Sequence, residues 1–174
     1  MTPLLIRDLA QVVTPAAETA PARGPGFGEV SVLSDAFVLC VDGKISAVGR
    51  MRDLAPLAEE VRELDGSGRC AIPGLVDCHT HACFAGDRVD EFTLRAAGAT
   101  YEELHAAGGG IMSTVRATRA ASEEDLDQAV RRHRAWMLRA GTTTFEAKSG
   151  YGLDRETELA SLRAVAAAGL LSPA

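Results

Sequence analysis

Beyond Cys70 the chain alternates between strand-like and helix-like stretches, and the links between the strands are long. IPGLVDCHTH (72–81) reads as a buried strand, and GTTTFEAKS (141–149), rich in β-branched residues, reads as the next. Two capping boxes lie between them, Thr100-Tyr-Glu-Glu103 and Ser122-Glu-Glu-Asp125. In each, the first hydroxyl can accept the backbone N–H three residues on, while the acidic residue there reaches back to the first N–H. After Ser122, the residues Leu126, Val130, His133 and Met137 recur at helical spacing and predict one amphipathic helix. Asp154 caps a last helix, RETELASLRAVAAA, and Gly108, Gly141 and Gly169 stand where helices stop. A crossover of this length, with a helix in it, is what parallel strands need, and the helices then pack outside the sheet. The fold class is therefore α/β.

The first part reads differently. Residues 1–68 are β-rich and predict a small N-terminal domain, with 69–174 as the α/β part. LLIRDLAQVVT is a strand, and PAAETAPARGPGFG is a loop rich in Pro, Ala and Gly. In AFVLCVDGKISAVG, two apolar runs flank Asp42-Gly43, the dipeptide suited to a type I′ hairpin turn. A short helix is expected over Met51–Glu60, and LDGSGR is a turn-rich connector.

Composition excludes several classes. A net charge of −6 with no basic cluster argues against nucleic acid as a partner. No apolar run approaches the ~20 residues that span a bilayer, and the N-terminus has no secretory pattern. The four cysteines, Cys40, Cys70, Cys78 and Cys83, are not spaced as a disulfide framework. The expected setting is the cytoplasm, with reduced thiols and no membrane partner.

Two of the four histidines, His79 and His81, stand one residue apart at the end of the first of these strands. Side chains at i and i+2 of a strand share a face, with Cα atoms ~6.5 Å apart. Two imidazoles so placed can converge on one metal ion at about 2.0–2.1 Å. Asp77 shares that face, and in parallel α/β proteins sites form at the carboxyl ends of strands. A bare His-x-His pair is weak evidence, and a rival donor set would add Cys78 and Cys83. His133 reads as core, His105 as a solvated helix residue, and Arg88, among Asp87, Asp90 and Glu91, as a surface ion pair.

PGLVDCHTH resembles the first-strand motif of the amidohydrolase superfamily of metal-dependent hydrolases. FVLCVDGKISAVG resembles that superfamily's small N-terminal β domain. FAGDRVDEFTLRAAGATYEEL, AGGGIMSTVRATRAAS and GTTTFEAKSGYGLDRETELASLR together resemble the imidazolonepropionase family, and the likeness runs from Phe37 onward. The resemblance implies a (β/α)8 barrel of TIM type, of which about two βα units are present, preceded by a small, incomplete β-sandwich. It implies one zinc or iron ion held by His79 and His81. It implies a small-molecule substrate, 4-imidazolone-5-propanoate, opened to N-formimidoyl-glutamate, with Arg88 and Tyr151 as substrate-binding residues. The remaining metal ligands and the general base are expected beyond Ala174, since a barrel takes about 250 residues. The chain is thus expected to be a truncated, inactive portion whose open sheet edge leads it to dimerise, swap or aggregate, a homodimer being one such outcome. Another amidohydrolase, a cyclic amidase or a nucleobase deaminase, stays open as an alternative, as does a non-catalytic scaffold with a partial metal site.

Overall fold

The structure, a computed structural model, describes residues 2–16, 24–57 and 60–169. It divides into two units, Met1–Pro73 and Gly74–Ala174. No helix among the described residues is long and apolar enough to cross a membrane.

The first unit is one five-stranded sheet. Strands β1 (Leu4–Pro15), β2 (Val30–Val41) and β3 (Lys44–Arg50) form an antiparallel meander. Its hairpin turns on Asp42 (φ 49°) and Gly43 (φ 73°), both left-handed as a type I′ turn requires. Strands β4 (Arg62–Asp65) and β5 (Cys70–Ala71) pair in parallel with the other edge of β1. Between them Gly66 crosses Leu9 so closely that a Cβ would lie 2.7 Å from Leu9 Cδ2. Leu9, Val12, Ala36 and Val38 make the buried cluster. The second layer of a sandwich is not present among the described residues. Val32, Ile45 and Leu64 are accordingly exposed.

The helix expected over Met51–Glu60 does not form. A single 3-10 turn covers Met51–Asp53, and Leu54 is already extended (φ −66°, ψ 113°). Pro56 explains the stop, because its ring disfavours helical backbone at Ala55. Ala58 and Glu59 lie outside the described residues, as do residues 17–23 of the Pro/Ala/Gly-rich loop.

The second unit holds two parallel strands, β6 (Leu75–Thr80) and β7 (Thr142–Ala147). Between them run α1 (Val89–Ala96), α2 (Tyr101–Ala106), α3 (Ile111–Ala120) and α4 (Glu123–Arg139), and α5 (Arg155–Gly169) follows. Both capping boxes are made, Thr100 with Glu103 and Ser122 with Asp125. Asp154 accepts the Thr157 N–H at the start of α5. Small residues let α4 and α5 approach: Leu126 and Val130 pack with Ala164, Ala168 and Cys83. Gly74 brings β6 against β7, where a Cβ would lie 2.0 Å from Thr143 Oγ1.

The expectation of a buried strand at IPGLVDCHTH is corrected. Leu75 is 50% and Val76 70% exposed. A parallel strand is buried when helices and neighbouring strands cover it, and β6 pairs only with β7.

Candidate functional site

The carboxyl end of β6 carries the histidine pair. Asp77 Oδ1 accepts the backbone N–H of His79 at 3.0 Å. Over the same stretch the pairing with β7 is irregular, between Asp77 and Thr80. The ladder closes again where Lys148 N–H donates to the Thr80 carbonyl. His79 and His81 flank Thr80 with ring centroids 5.4 Å apart and planes at 76°. The Asp77 carboxylate is engaged by backbone, and among the described residues no group of three His, Cys, Asp or Glu is placed to hold a metal.

His81 is the better enclosed of the two. Its Nδ1 is buried and has no hydrogen-bond partner. The turn after β7 covers its ring. Gly150 sits at φ 149°, and a Cβ there would lie 2.7 Å from His81 Cε1. Tyr151 follows with its ring 5.4 Å from that of His81. The glycine of KSGYG is thus required by the histidine of DCHTH, 69 residues before it, which joins the two motifs.

That turn is held by polar bonds. Glu158, on α5, accepts the N–H of Gly152 at 2.9 Å and of Leu153 at 2.8 Å on one oxygen. Leu153 is left-handed (φ 55°), a conformation costing an L-residue roughly 1–2 kcal/mol that these bonds offset. Partial burial works to raise the Glu158 carboxyl. Hydrogen bonds from the Ser149 hydroxyl and from the turn's backbone N–H groups outweigh it and hold the group below its ordinary range. Arg119, on α3, grips the turn from the other side: Nε donates to the Gly152 carbonyl at 2.6 Å and pairs with Asp154 at 3.0 Å.

The same helix fixes the loop after β6. Buried Thr118 accepts the Ala85 N–H at 3.1 Å, and one turn earlier Thr114 accepts Arg88 Nε at 3.1 Å. Gly86 is left-handed and lies against Ala117, where a Cβ would stand 2.7 Å from the alanine methyl. STVRATR therefore places threonines four residues apart on the face that meets this loop, and Arg119 on the turn after β7.

Arg88 stands on its own set of contacts. It enters no ion pair among the described residues, so the reading of it as a surface ion pair does not hold. With Glu91, Arg95, Tyr101, Leu104 and Gly110 it lines a cavity of about 250 Å³. Glu91 Oε1 accepts the Gly110 N–H at 2.8 Å, and Arg116 donates to the Gly108 carbonyl, so the glycine run is anchored on both sides.

The remaining candidates have structural partners. His133 Nδ1 lies 2.8 Å from the Ala82 carbonyl, and its ring stacks on Phe84 at 4.5 Å. His105 stacks on Tyr101. Cys83 faces the α4–α5 core while Cys78 is exposed, so the rival cysteine set does not assemble. Burial chiefly pushes the Cys83 thiol up, which keeps it protonated and a poor ligand. Glu158, Arg119, Thr114 and Thr118 went unread in the sequence. The available cue was the i, i+4 threonine pair in an otherwise uncapped segment.

Solved structures share this fold. Guanine deaminase from E. coli superposes with a TM-score of 0.60 over 97% of this chain and 34% of that one, at 18% identity. A molinate hydrolase gives 0.54 over 97% and 28%, at 17% identity. At 17–18% identity this likeness defines a class of fold, mixed α/β, and carries no statement about the site's chemistry.

Within that class the sequence is more specific: the chain is a relative of the imidazolonepropionases. It is 56% identical to imidazolonepropionase of Rubrobacter xylanophilus over 99% of its own length and 42% of that protein. With that of Porphyromonas gingivalis it shares 48% over 93% and 39%, and with that of Chloroflexus aggregans 48% over 94% and 38%. The chain thus spans about two fifths of the length of the curated relatives it matches. No protein-family model matches it.

Proposed function

We propose that these residues are the amino-terminal part of the active site of an imidazolonepropionase, opening the ring of 4-imidazolone-5-propanoate in the cytoplasm. In this reading β6 and β7 are the first strands of a (β/α)8 barrel, and the five-stranded sheet is one layer of an incomplete sandwich. His79 and His81 are two of the ligands of one zinc or iron ion. The donor set fits: neutral imidazoles suit either metal, and a buried His81 nitrogen lacks a protein partner. Two ligands are short of the three that a catalytic site holds, so further donors come from outside the described residues. The chemistry the ion supplies when bound is Lewis acidity and a hydroxide-strength nucleophile near neutral pH.

The chain's own residues bind and orient. Arg88, fixed by Thr114, turns a planar fork of donors toward the substrate's propionate. Tyr151 lays its ring beside His81 and offers a hydroxyl to the heterocycle. The single observation that carries the reading is the fit of the KSGYG turn onto His81, because it assembles two of the family's motifs at one strand end.

A chimera joining residues 1–174 to the remainder of the Rubrobacter relative tests it. Ring opening of imidazolone propionate is expected. His79→Ala should remove metal and activity together, and Arg88→Ala should raise KM with a smaller change in kcat. A folded, metal-loaded chimera that opens other cyclic amides but leaves this ring untouched would overturn the assignment.

A further inference from the structure

We infer that Glu158 is a positioning residue, whose carboxylate sets the Gly150–Tyr151 turn against the His81 imidazole. Glu158 touches neither ring. Its Oε1 gathers the N–H groups of Gly152 and Leu153, the two residues after Tyr151. Those bonds hold Leu153 left-handed, and the chain reverses there into α5. Two residues upstream of Gly152, Gly150 presses on His81 with no space for a methyl group. The path from carboxylate to imidazole is therefore backbone throughout, without a freely rotating link. Arg119 holds the Gly152 carbonyl from the opposite side, so the peptide groups of the turn are fixed by a donor and an acceptor at once. A carboxylate is the side chain for the task, since one of its oxygens can accept two N–H groups with charge assistance. The consequence for a metal ion rests on the reading of His81 as a ligand, whereas the geometric statement does not.

The test is NMR on the 174-residue chain, following the His81–Gly150 and His81–Tyr151 cross-relaxation and the hydrogen exchange of the Gly152 and Leu153 amides. Wild type should show both contacts and slow exchange. Glu158→Ala should lose them while α4 and α5 keep their protection. Glu158→Asp, one methylene too short to reach the amides, should do the same and serves if the alanine variant fails to fold. Glu158→Gln, whose carbonyl oxygen can still accept both N–H groups, should restore the contacts. In a parallel cobalt(II) titration the Ala and Asp variants should bind about 10-fold more weakly than wild type. Persistence of the ring contacts and slow exchange in Glu158→Ala or Glu158→Asp overturns the inference. So does global unfolding of both, which would make the carboxylate a support of the whole unit. Equal cobalt uptake by wild type and His81→Ala would instead sink the metal reading and leave the NMR outcome to stand by itself.

Discussion

The two sheets of this molecule are ordered by different forces. In the first unit the meander is joined by a tight hairpin, and it buries its own apolar residues, with Leu5, Leu9 and Ala36 at 2%, 3% and 0% exposure. In the second unit β6 is largely open to solvent, yet the loops leaving β6 and β7 are held by side-chain hydrogen bonds from the helices. Thr114, Thr118, Arg119 and Glu158 each reach from a helix to one of those loops. Apolar burial is non-directional and fixes that a face is covered, not where an atom lies. Hydrogen bonds weaken steeply away from their preferred angle and so fix position. The strand ends carrying the site are therefore placed by polar bonds to helices, while apolar packing only holds those helices together.

The sharpest way to break that comparison is to set a core residue against a polar one in the same unit. Leu126→Ala empties part of the α4–α5 core and should lower the stability of the second unit by about 2–5 kcal/mol. Urea unfolding followed through Trp136, on α4, reads it. The strand-end geometry should survive in the molecules that remain folded, with the His81–Tyr151 contact unchanged. Thr118→Val keeps the shape but leaves the Ala85 N–H without its acceptor, which costs roughly 1–3 kcal/mol. Here the contact pattern of residues 82–88 should change although the loss of stability is smaller. If Leu126→Ala moved the loop more than Thr118→Val did, packing rather than hydrogen bonding would be positioning the site.

Legibility in the sequence followed how local each cause was. The hairpin was readable because Asp42-Gly43 carries its own turn geometry. Helices α2, α4 and α5 were readable because Thr100, Ser122 and Asp154 announce them. Helices α1 and α3 were not, since Arg88 makes no side-chain cap and α3 starts after Gly110 at φ 74°. The expected Met51–Glu60 helix stops after Asp53, since Pro56 disfavours helical backbone just before it. At the site, strand alternation brought His79 and His81 to notice. It could not show that Asp77 takes the His79 N–H. Nor could spacing expose Glu158 or Arg119 as clamps, because each acts on a turn that only the folded chain brings to it. The resemblance supplied Arg88 and Tyr151, and geometry added what holds them.

A milder test belongs to the first unit's hairpin. Gly43→Ala meets no neighbour, so its cost is that of a left-handed backbone alone, roughly 1–2 kcal/mol. Amide exchange in β2 and β3 should quicken while the second unit's Trp136 transition stays at the same urea concentration. A clash-free substitution costing as much as Leu126→Ala would mean that the turn, and not the buried face, holds the sheet.

The smallest effect lies in a polar turn of the first unit. Asp65 accepts the Ser67 hydroxyl at 2.6 Å and the Ser67 N–H at 2.8 Å in the turn that follows β4. Those bonds, the hydroxyl first, hold its carboxyl below the ordinary carboxylate range. A folded value below the unfolded one means stability that is present above the unfolded pKa of about 3.9 and is lost as pH falls through the folded value. Ser67→Ala removes the largest cause. It should therefore lower the urea midpoint slightly at pH 7, and the gap to wild type should close below about pH 4. The group is fully exposed, so the shift should be near the limit of measurement and should shrink further in salt. A gap that widens in acid would show that the serine hydroxyl serves something other than this carboxylate. The first unit would then contain a polar clamp of the kind that the comparison reserves for the second.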